Sequence, residues 1–321
     1  MSAKKNPLDI SIITPMLEEV KKNAIDEIVK KAQQQQQNAE EINKYLKLAY
    51  IKQGKRNQAL QTMNCGTFLL FKEFENKEKT SMLHGANFCK SPLCPLCAWR
   101  KHLQTSSILY KTIEKRDKTK MLYHLVLAVP NVSQIDKITL SKLKSCAVDF
   151  IKKELKTNSY FLRLEITFSE KGYHPHLHVL LESDFIKVSE KYIKEMSARW
   201  KSYYNKTDKK YDGYTFYIRG VHKSNEEEVV QELTKYVLKP DKIKISSKCI
   251  DNTLRAITNL RKTSSAGNIK KLFSSAKKES LIEVDRKLRD LKPYEWHYRI
   301  FEYINGSYIE KTHEMKEEKN V

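Results

Sequence analysis

Three groups of residues in this chain have types and spacings that could do chemistry. The first is "KGYHPHLHVLLES", residues 171–183, where His174, His176 and His178 fall at every second position. Alternate side chains of an extended segment project from one face, so the three imidazoles line one side and Leu177, Val179 and Leu181 the other. The preceding segment "YFLRLEITFS" (160–169) also alternates, with Arg163, Glu165 and Thr167 on its polar side. Paired as a hairpin that buries both apolar faces, the two segments set Glu165 opposite His176 or His178. Two imidazoles and a carboxylate on a rigid sheet suit a divalent cation with positions left open for water or phosphate. Glu165 is the first choice for third ligand and His174 the second.

The second group is "CKSPLCPLCAWRK" (89–101), with Cys89, Cys94 and Cys97, preceded by Cys65. A Cys-x-x-Cys pair with two further thiolates predicts a closed, structural zinc site, with Cys65 preferred to His84 as fourth ligand. Trp99, Arg100 and Lys101 either contact DNA or open a helix packed on the knuckle. Cys146 and Cys249 stand alone and are read as packing residues. The third group is Glu232, Tyr236 and Lys239 in "NEEEVVQELTKYVLK" (225–239). Helical spacing puts them in one stripe, beside an apolar stripe of Val229, Leu233 and Val237. Alone, this pattern is weak. Beside a metal that orients a phosphodiester, and a lysine that stabilises developing charge, a tyrosine becomes a usable nucleophile.

The elements that must position these groups follow from periodicity. Residues 120–130 read as a buried strand, 135–155 as a helix, 160–169 and 173–182 as strands, 189–204 as a helix, 213–221 as a strand and 225–239 as a helix. That order is βαββαβ with a trailing helix, an α+β, ferredoxin-like split-βαβ arrangement with an antiparallel sheet. Residues 15–60, with the run Gln33–Gln37, predict a solvated, mostly exposed helix. A strand "GTFLLFKEF" follows Cys65, and a helical pattern runs to about Arg116. The division expected is a helical extension (1–60), a zinc-binding region with connecting helix (61–117), a βαββαβ core (118–242) and a basic, mainly helical C-terminal region (243–321), with 261–271 as a loop.

Charge narrows the class. The 321 residues carry 60 Lys and Arg against 39 Asp and Glu, a formal net charge of +21, which favours nucleic acid as partner. No apolar run reaches the length of a membrane span, and the N-terminus lacks a secretory signal. The expected location is therefore the cytoplasm, where clustered cysteines bind metal rather than form disulfides.

In combination and order, the motifs resemble those of the rolling-circle replication initiators of small bacterial plasmids, single-tyrosine members of the HUH endonucleases. "GYHPHLHVLL" resembles their metal motif, "LTKYVLK" their tyrosine motif, "ANFCKSPLCPLCAWRK" their cysteine motif and "YHLVLAVPNV" a further strand. The match runs from about Cys65 to Lys239. The resemblance implies an HUH nuclease core that nicks and rejoins one strand of single-stranded or hairpin origin DNA through a 5′-phosphotyrosyl link at Tyr236. It implies Mg²⁺ or Mn²⁺ on His176 and His178, with structural Zn²⁺ on the cysteines. Glu232 would activate water when replication terminates. A host helicase and polymerase would be partners, and a homodimer is compatible. Two departures stand out: Val126 and Ala128 where the family carries threonines, and Ser91 and Pro92 where an arginine is common. Rival readings are a relaxase or single-tyrosine transposase of the same superfamily, or a non-catalytic zinc-stabilised DNA-binding regulator. The regulator leaves the histidine strand without a role.

Overall fold

The computed structural model describes residues 24–76, 80–205, 213–235, 237–240 and 246–311. It opens with α1 (Ala24–Lys52) and α2 (Arg56–Met63). The expectation of a solvated N-terminal helix is corrected. Ile25, Val29, Ala32, Gln36, Ala39, Asn43 and Leu46 recur three or four residues apart and are all buried, the spacing of a packed helix face. Three amides of the glutamine run bond to distant parts of the fold. Gln36 Nε2 donates to the Cys65 carbonyl at 2.7 Å, Gln37 Nε2 donates to the Gly306 carbonyl, and Gln33 Oε1 accepts from the Tyr308 N–H. Gly66 sits at φ +73°, and a Cβ there would come within 2.5 Å of Gln36 and Leu96. No larger residue fits that approach.

Strands β1 (Phe68–Phe74) and β2 (Ser81–Ala86) pair antiparallel. Helix α3 (Pro95–Lys115) starts with proline in its first turn, where the missing N–H costs nothing. The core follows in the order read from periodicity: β3 (Met121–Ala128), α4 (Lys137–Lys153), β4 (Tyr160–Ser169), β5 (Gly172–Ser183), α5 (Glu190–Tyr204) and β6 (Thr215–Gly220). Asp136 caps α4 by accepting from the Thr139 N–H, and Ser189 caps α5 by accepting from the Tyr192 N–H. The strands lie in the order β6-β3-β5-β4, each antiparallel to its neighbour.

One face of this sheet is apolar. Leu125, Leu127, Leu162, Leu164, Leu177, Val179 and Leu181 are fully buried, each contributing on the order of 1.5–3 kcal/mol of burial. They belong to one core with Leu140, Leu143 and Phe150 of α4 and Trp200 of α5. Phe150 meets Trp200 edge-on at 5.6 Å and Phe216 at 5.8 Å, and Trp200 Nε1 donates to the Ala128 carbonyl at 2.7 Å. The chain turns between β4 and β5 through Gly172 at φ +95°, where a Cβ would strike the Val132 carbonyl oxygen at 2.5 Å.

Helix α6 (Glu226–Thr234) carries Glu226, Glu227 and Glu228 in its first turn, complementing the helix dipole. The expected helix to residue 239 is corrected, because α6 ends at Thr234. The chain then forms β7 (Leu238–Pro240), parallel to β4 with Ile166 opposite Leu238 and Thr167 opposite Lys239. The free edge of β4 offers backbone groups that need partners, and Ile166 N–H takes the Val237 carbonyl at 2.7 Å. Glu232 and Lys239 therefore do not share a helical stripe, and Tyr236 lies outside the described residues.

After α7 (Ser247–Ile257), the stretch expected as a loop is instead β8 (Thr263–Ala266), paired with β4, and the start of α8 (Gly267–Leu291). The chain then makes a hairpin of β9 (Trp296–Ile304) and β10 (Ser307–Lys311) rather than further helix. Its two-residue turn is Asn305-Gly306, both at positive φ, as such turns require. The hairpin joins β1 and β2 in a second antiparallel sheet, order β10-β9-β1-β2. No helix among the described residues is long and apolar enough to cross a membrane.

Candidate functional site

The sheet face away from α4 and α5 holds the histidines, and the register fixes who faces whom. Glu165, His176, Ala128 and Thr215 form one cross-strand row, and Arg163, His178, Val126 and Tyr217 the next. Pairing Glu165 with His176 and placing His178 one row further makes the carboxylate reach both rings. Glu165 Oε1 lies 3.5 Å from His176 Nε2, and Oε2 lies 3.3 Å from His178 Nε2. All three side chains are at least mostly buried. Burial alone would raise the Glu165 pKa, but interactions with His176 and His178 override it and hold the carboxyl well below its ordinary value.

Glu165 Oε2 and His178 Nε2 are buried without a hydrogen-bond partner. Such atoms are costly unless something satisfies them. A cation among Glu165, His176 and His178, whose donor atoms all lie within 4.8 Å of one another, would do so. Both rings are oriented for it from behind. His176 Nδ1–H donates to the His174 carbonyl at 3.2 Å, and His178 Nδ1 lies 3.1 Å from His124 Nε2. The residues present fit a divalent metal ion. The His174 ring is tilted 48° to that of His176, with centroids 5.6 Å apart, and stays outside the group of three. His124 escaped the sequence reading, since a single histidine in the apolar run "YHLVLAVP" carries no pattern.

The chain on either side of residue 236 is tied to the strand that bears Glu165. Arg163 Nη2 donates to the Lys235 carbonyl, and Ile166 N–H donates to that of Val237. Arg163 is buried, which pushes its guanidinium down to about 10. At the end of α6, Thr234 Oγ1 lies 2.7 Å from His102 Nδ1 and 3.0 Å from Ser106 Oγ of α3. Burial lowers the His102 pKa, partly countered by Thr234. Glu232 pairs with Lys235, so the lysine that the structure sets beside Glu232 is Lys235. His102 had no motif to reveal it, while Arg163 stood on the polar side of its strand and Lys235 inside "LTKYVLK" without a spacing that assigned either a role.

The cysteines form a second group. Cys65 precedes β1, Cys89 follows β2, Cys94 precedes α3 and Cys97 lies in its first turn. All four are buried, with Sγ–Sγ separations of 3.7 Å (Cys65–Cys94), 3.5 Å (Cys65–Cys97) and 3.6 Å (Cys89–Cys97). A tetrahedron of thiolates at the usual zinc–sulfur distance has edges of about 3.8 Å, so the cluster fits that ion. Contacts within the cluster hold the Cys97 thiol below its ordinary value and push those of Cys65, Cys89 and Cys94 up. His84 is elsewhere, its ring 5.3 Å from Tyr298. Arg100 stacks on Phe88 at 3.3 Å, within the helix that leaves the cluster. That helix also carries His102, so the cysteine group and the end of α6 share one rigid element.

A family model described as "Replication protein" matches residues 80–308. A "Protein rep" of Staphylococcus aureus is 34% identical over 134 residues, 39% of this chain and 58% of that protein. A "Protein rep" of Streptococcus pneumoniae serotype 2 is 31% identical over 199 residues, 57% of this chain and 61% of that protein. A third, of Bacillus amyloliquefaciens, is 28% identical over 228 residues, 64% of this chain and 66% of its own length. The chain thus spans about three fifths of the length of the first two relatives. No solved structure matches it. On the extent of the family match, more than half of its length, the chain belongs to the Rep family of replication proteins.

Proposed function

We propose that this chain initiates plasmid replication in the cytoplasm by nicking one DNA strand at an origin and later rejoining it, through a covalent tyrosyl intermediate. The observation that carries the reading is the Glu165, His176, His178 triplet, with its buried unpartnered oxygen and nitrogen facing each other. The strand order β6-β3-β5-β4 supports assigning the sheet to the split-βαβ core of HUH endonucleases. The net charge of +21 supports a nucleic-acid partner, and single-stranded or hairpin origin DNA is the form proposed.

Mg²⁺ or Mn²⁺ held by His176, His178 and Glu165 would polarise a non-bridging oxygen of the scissile phosphate. Tyr236 is the nucleophile. Its phenol gives up its proton to solvent as the oxygen bonds to phosphorus, the bond from phosphorus to the 3′-oxygen breaks, and the departing oxygen takes a proton from solvent to become a 3′-OH. The phosphate stays on the tyrosine through its 5′-linked strand. Lys239 on β7, and Lys235 beside Glu232, are the cations proposed to offset developing charge. When the link is released by hydrolysis, Glu232 takes a proton from water, the water oxygen bonds to phosphorus, the phosphorus–tyrosine oxygen bond breaks and the phenolate regains a proton. Lys235 and Val237, the sequence neighbours of Tyr236, are both hydrogen-bonded to β4, the strand that bears Glu165. Zn²⁺ on Cys65, Cys89, Cys94 and Cys97 has no open position and is proposed as structural.

The test uses labelled single-stranded origin DNA with Mg²⁺ or Mn²⁺. Wild type should give a denaturant-stable protein–DNA adduct, and Tyr236→Phe should not. Glu232→Ala should form the adduct but release it slowly. An adduct of unchanged yield from Tyr236→Phe, or equal loss of both steps in Glu232→Ala, contradicts these assignments.

A further inference from the structure

We propose that His124 is a positioning residue for the metal centre: its Nε2 accepts the Nδ1 proton of His178 and so keeps His178 Nε2 free to bind the cation. The inference rests on the metal reading above and extends it to a residue outside the triplet.

His124 lies in β3, buried at 3% exposure, in the row next to that of His178. The two rings are nearly parallel, 11° between planes with centroids 5.4 Å apart, and His124 Nε2 is 3.1 Å from His178 Nδ1. A neutral imidazole carries one proton. If it sits on His178 Nε2, that nitrogen cannot ligate; if on Nδ1, Nε2 presents its lone pair toward Glu165. The group across from Nδ1 therefore decides the competent tautomer. With His124 Nε2 as acceptor, the proton of His124 sits on its own Nδ1, which is buried with no partner.

The two ligand histidines are thus held by different means. His176 is oriented by a backbone carbonyl, that of His174, which no substitution at another position removes. His178 is oriented by a side chain, and its tautomer depends on the residue at 124. The cross-strand register explains why: strand β3 runs beside β5, and His124 is the polar side chain it sends to this face next to His178.

The experiment measures Mn²⁺ affinity of the full zinc-loaded chain by isothermal titration calorimetry for wild type, His124→Leu and His124→Gln, with the adduct assay run in parallel. Leucine keeps volume without an acceptor, whereas glutamine restores an oxygen near the position of Nε2. Loss of such a partner is expected to weaken metal binding about 10- to 100-fold in His124→Leu, with His124→Gln close to wild type. Equal affinities for wild type and His124→Leu, or His124→Gln as weak as His124→Leu, overturn the inference. If His124→Leu does not fold, two-dimensional ¹H–¹⁵N spectra of histidine-labelled wild type decide. A His178 proton on Nδ1 is expected, and one on Nε2 overturns the proposal. A wild type that binds no Mn²⁺ and forms no adduct would bring down the functional reading itself. A wild type that does both while His124→Leu matches it brings down the role of His124 alone.

Discussion

Replacing Arg163 by methionine separates stability from activity in a way the structure makes quantitative. Arg163 is 7% exposed, and burial pushes its guanidinium down to about 10 from the ordinary arginine value. That fall corresponds to about 3 kcal/mol against the folded state. The sign follows from proton binding: the folded chain holds this proton less tightly than the unfolded one. The penalty is therefore fully present at neutral pH and fades only as pH rises through about 10. Set against it is one hydrogen bond from a charged donor to the Lys235 carbonyl, worth about 1.5–3 kcal/mol. The terms nearly cancel, and methionine supplies an apolar stem of similar reach. Arg163→Met should therefore unfold in urea within about 1 kcal/mol of wild type, as replaced buried charges often do. Adduct formation should fall about 100-fold, because the residue before Tyr236 loses its tether to β4 and small misplacements cost that much. Urea melts by tryptophan fluorescence and single-turnover adduct rates on the same preparations give both numbers. Refutation would be a loss of stability above about 3 kcal/mol with activity tracking the folded fraction, or full activity in a stable variant.

Other expectations follow from the same geometry. Gln36→Ala leaves the buried Cys65 carbonyl without its 2.7 Å donor and should lower stability by about 1–3 kcal/mol and speed zinc loss to a chelator; unchanged urea midpoints would contradict this. Cys94→Ser should abolish stoichiometric zinc and destabilise the chain, since Cys94 is fully buried among the other three sulfurs; retained zinc by elemental analysis would show the ligand set to be wrong. His102 is held below its ordinary 6.5 mainly by burial, so the unfolded chain protonates there first as pH falls. Its contribution is full above about 6.5 and declines in more acid solution. His102→Gln should flatten the fall of the urea midpoint between neutral and acid pH, and an unchanged slope would contradict it.

The histidine hairpin was legible because period-two alternation fixes both faces and limits the register to Glu165 opposite His176 or His178, the first of which the strand pairing selects. The βαββαβ order was legible for the same reason. The end of α6 was not: "LTKYVLK" continues helical spacing, and only the open edge of β4 draws residues 238–240 into a parallel strand. The buried seam of α1 was hidden by its residue types, Ala, Gln and Asn, whose burial depends on partners far along the chain such as Cys65 and Tyr308. The C-terminal hairpin did carry a local signal, Asn305-Gly306 between alternating segments, and a reading attentive to that turn would have found it. His124, His102 and Arg163 act through residues distant in sequence, so no spacing announces them.

The central claim is that Tyr236 carries the DNA strand on a sheet whose Glu165, His176 and His178 hold the metal. Proteolysis of the purified covalent adduct, followed by mass spectrometry of the nucleotide-bearing peptide, tests it most directly. A 5′-phosphate joined to the phenolic oxygen of Tyr236 is expected, formed only with a divalent metal and absent from His178→Ala. A nucleotide on any other residue, or an adduct that forms equally in His178→Ala, would contradict it.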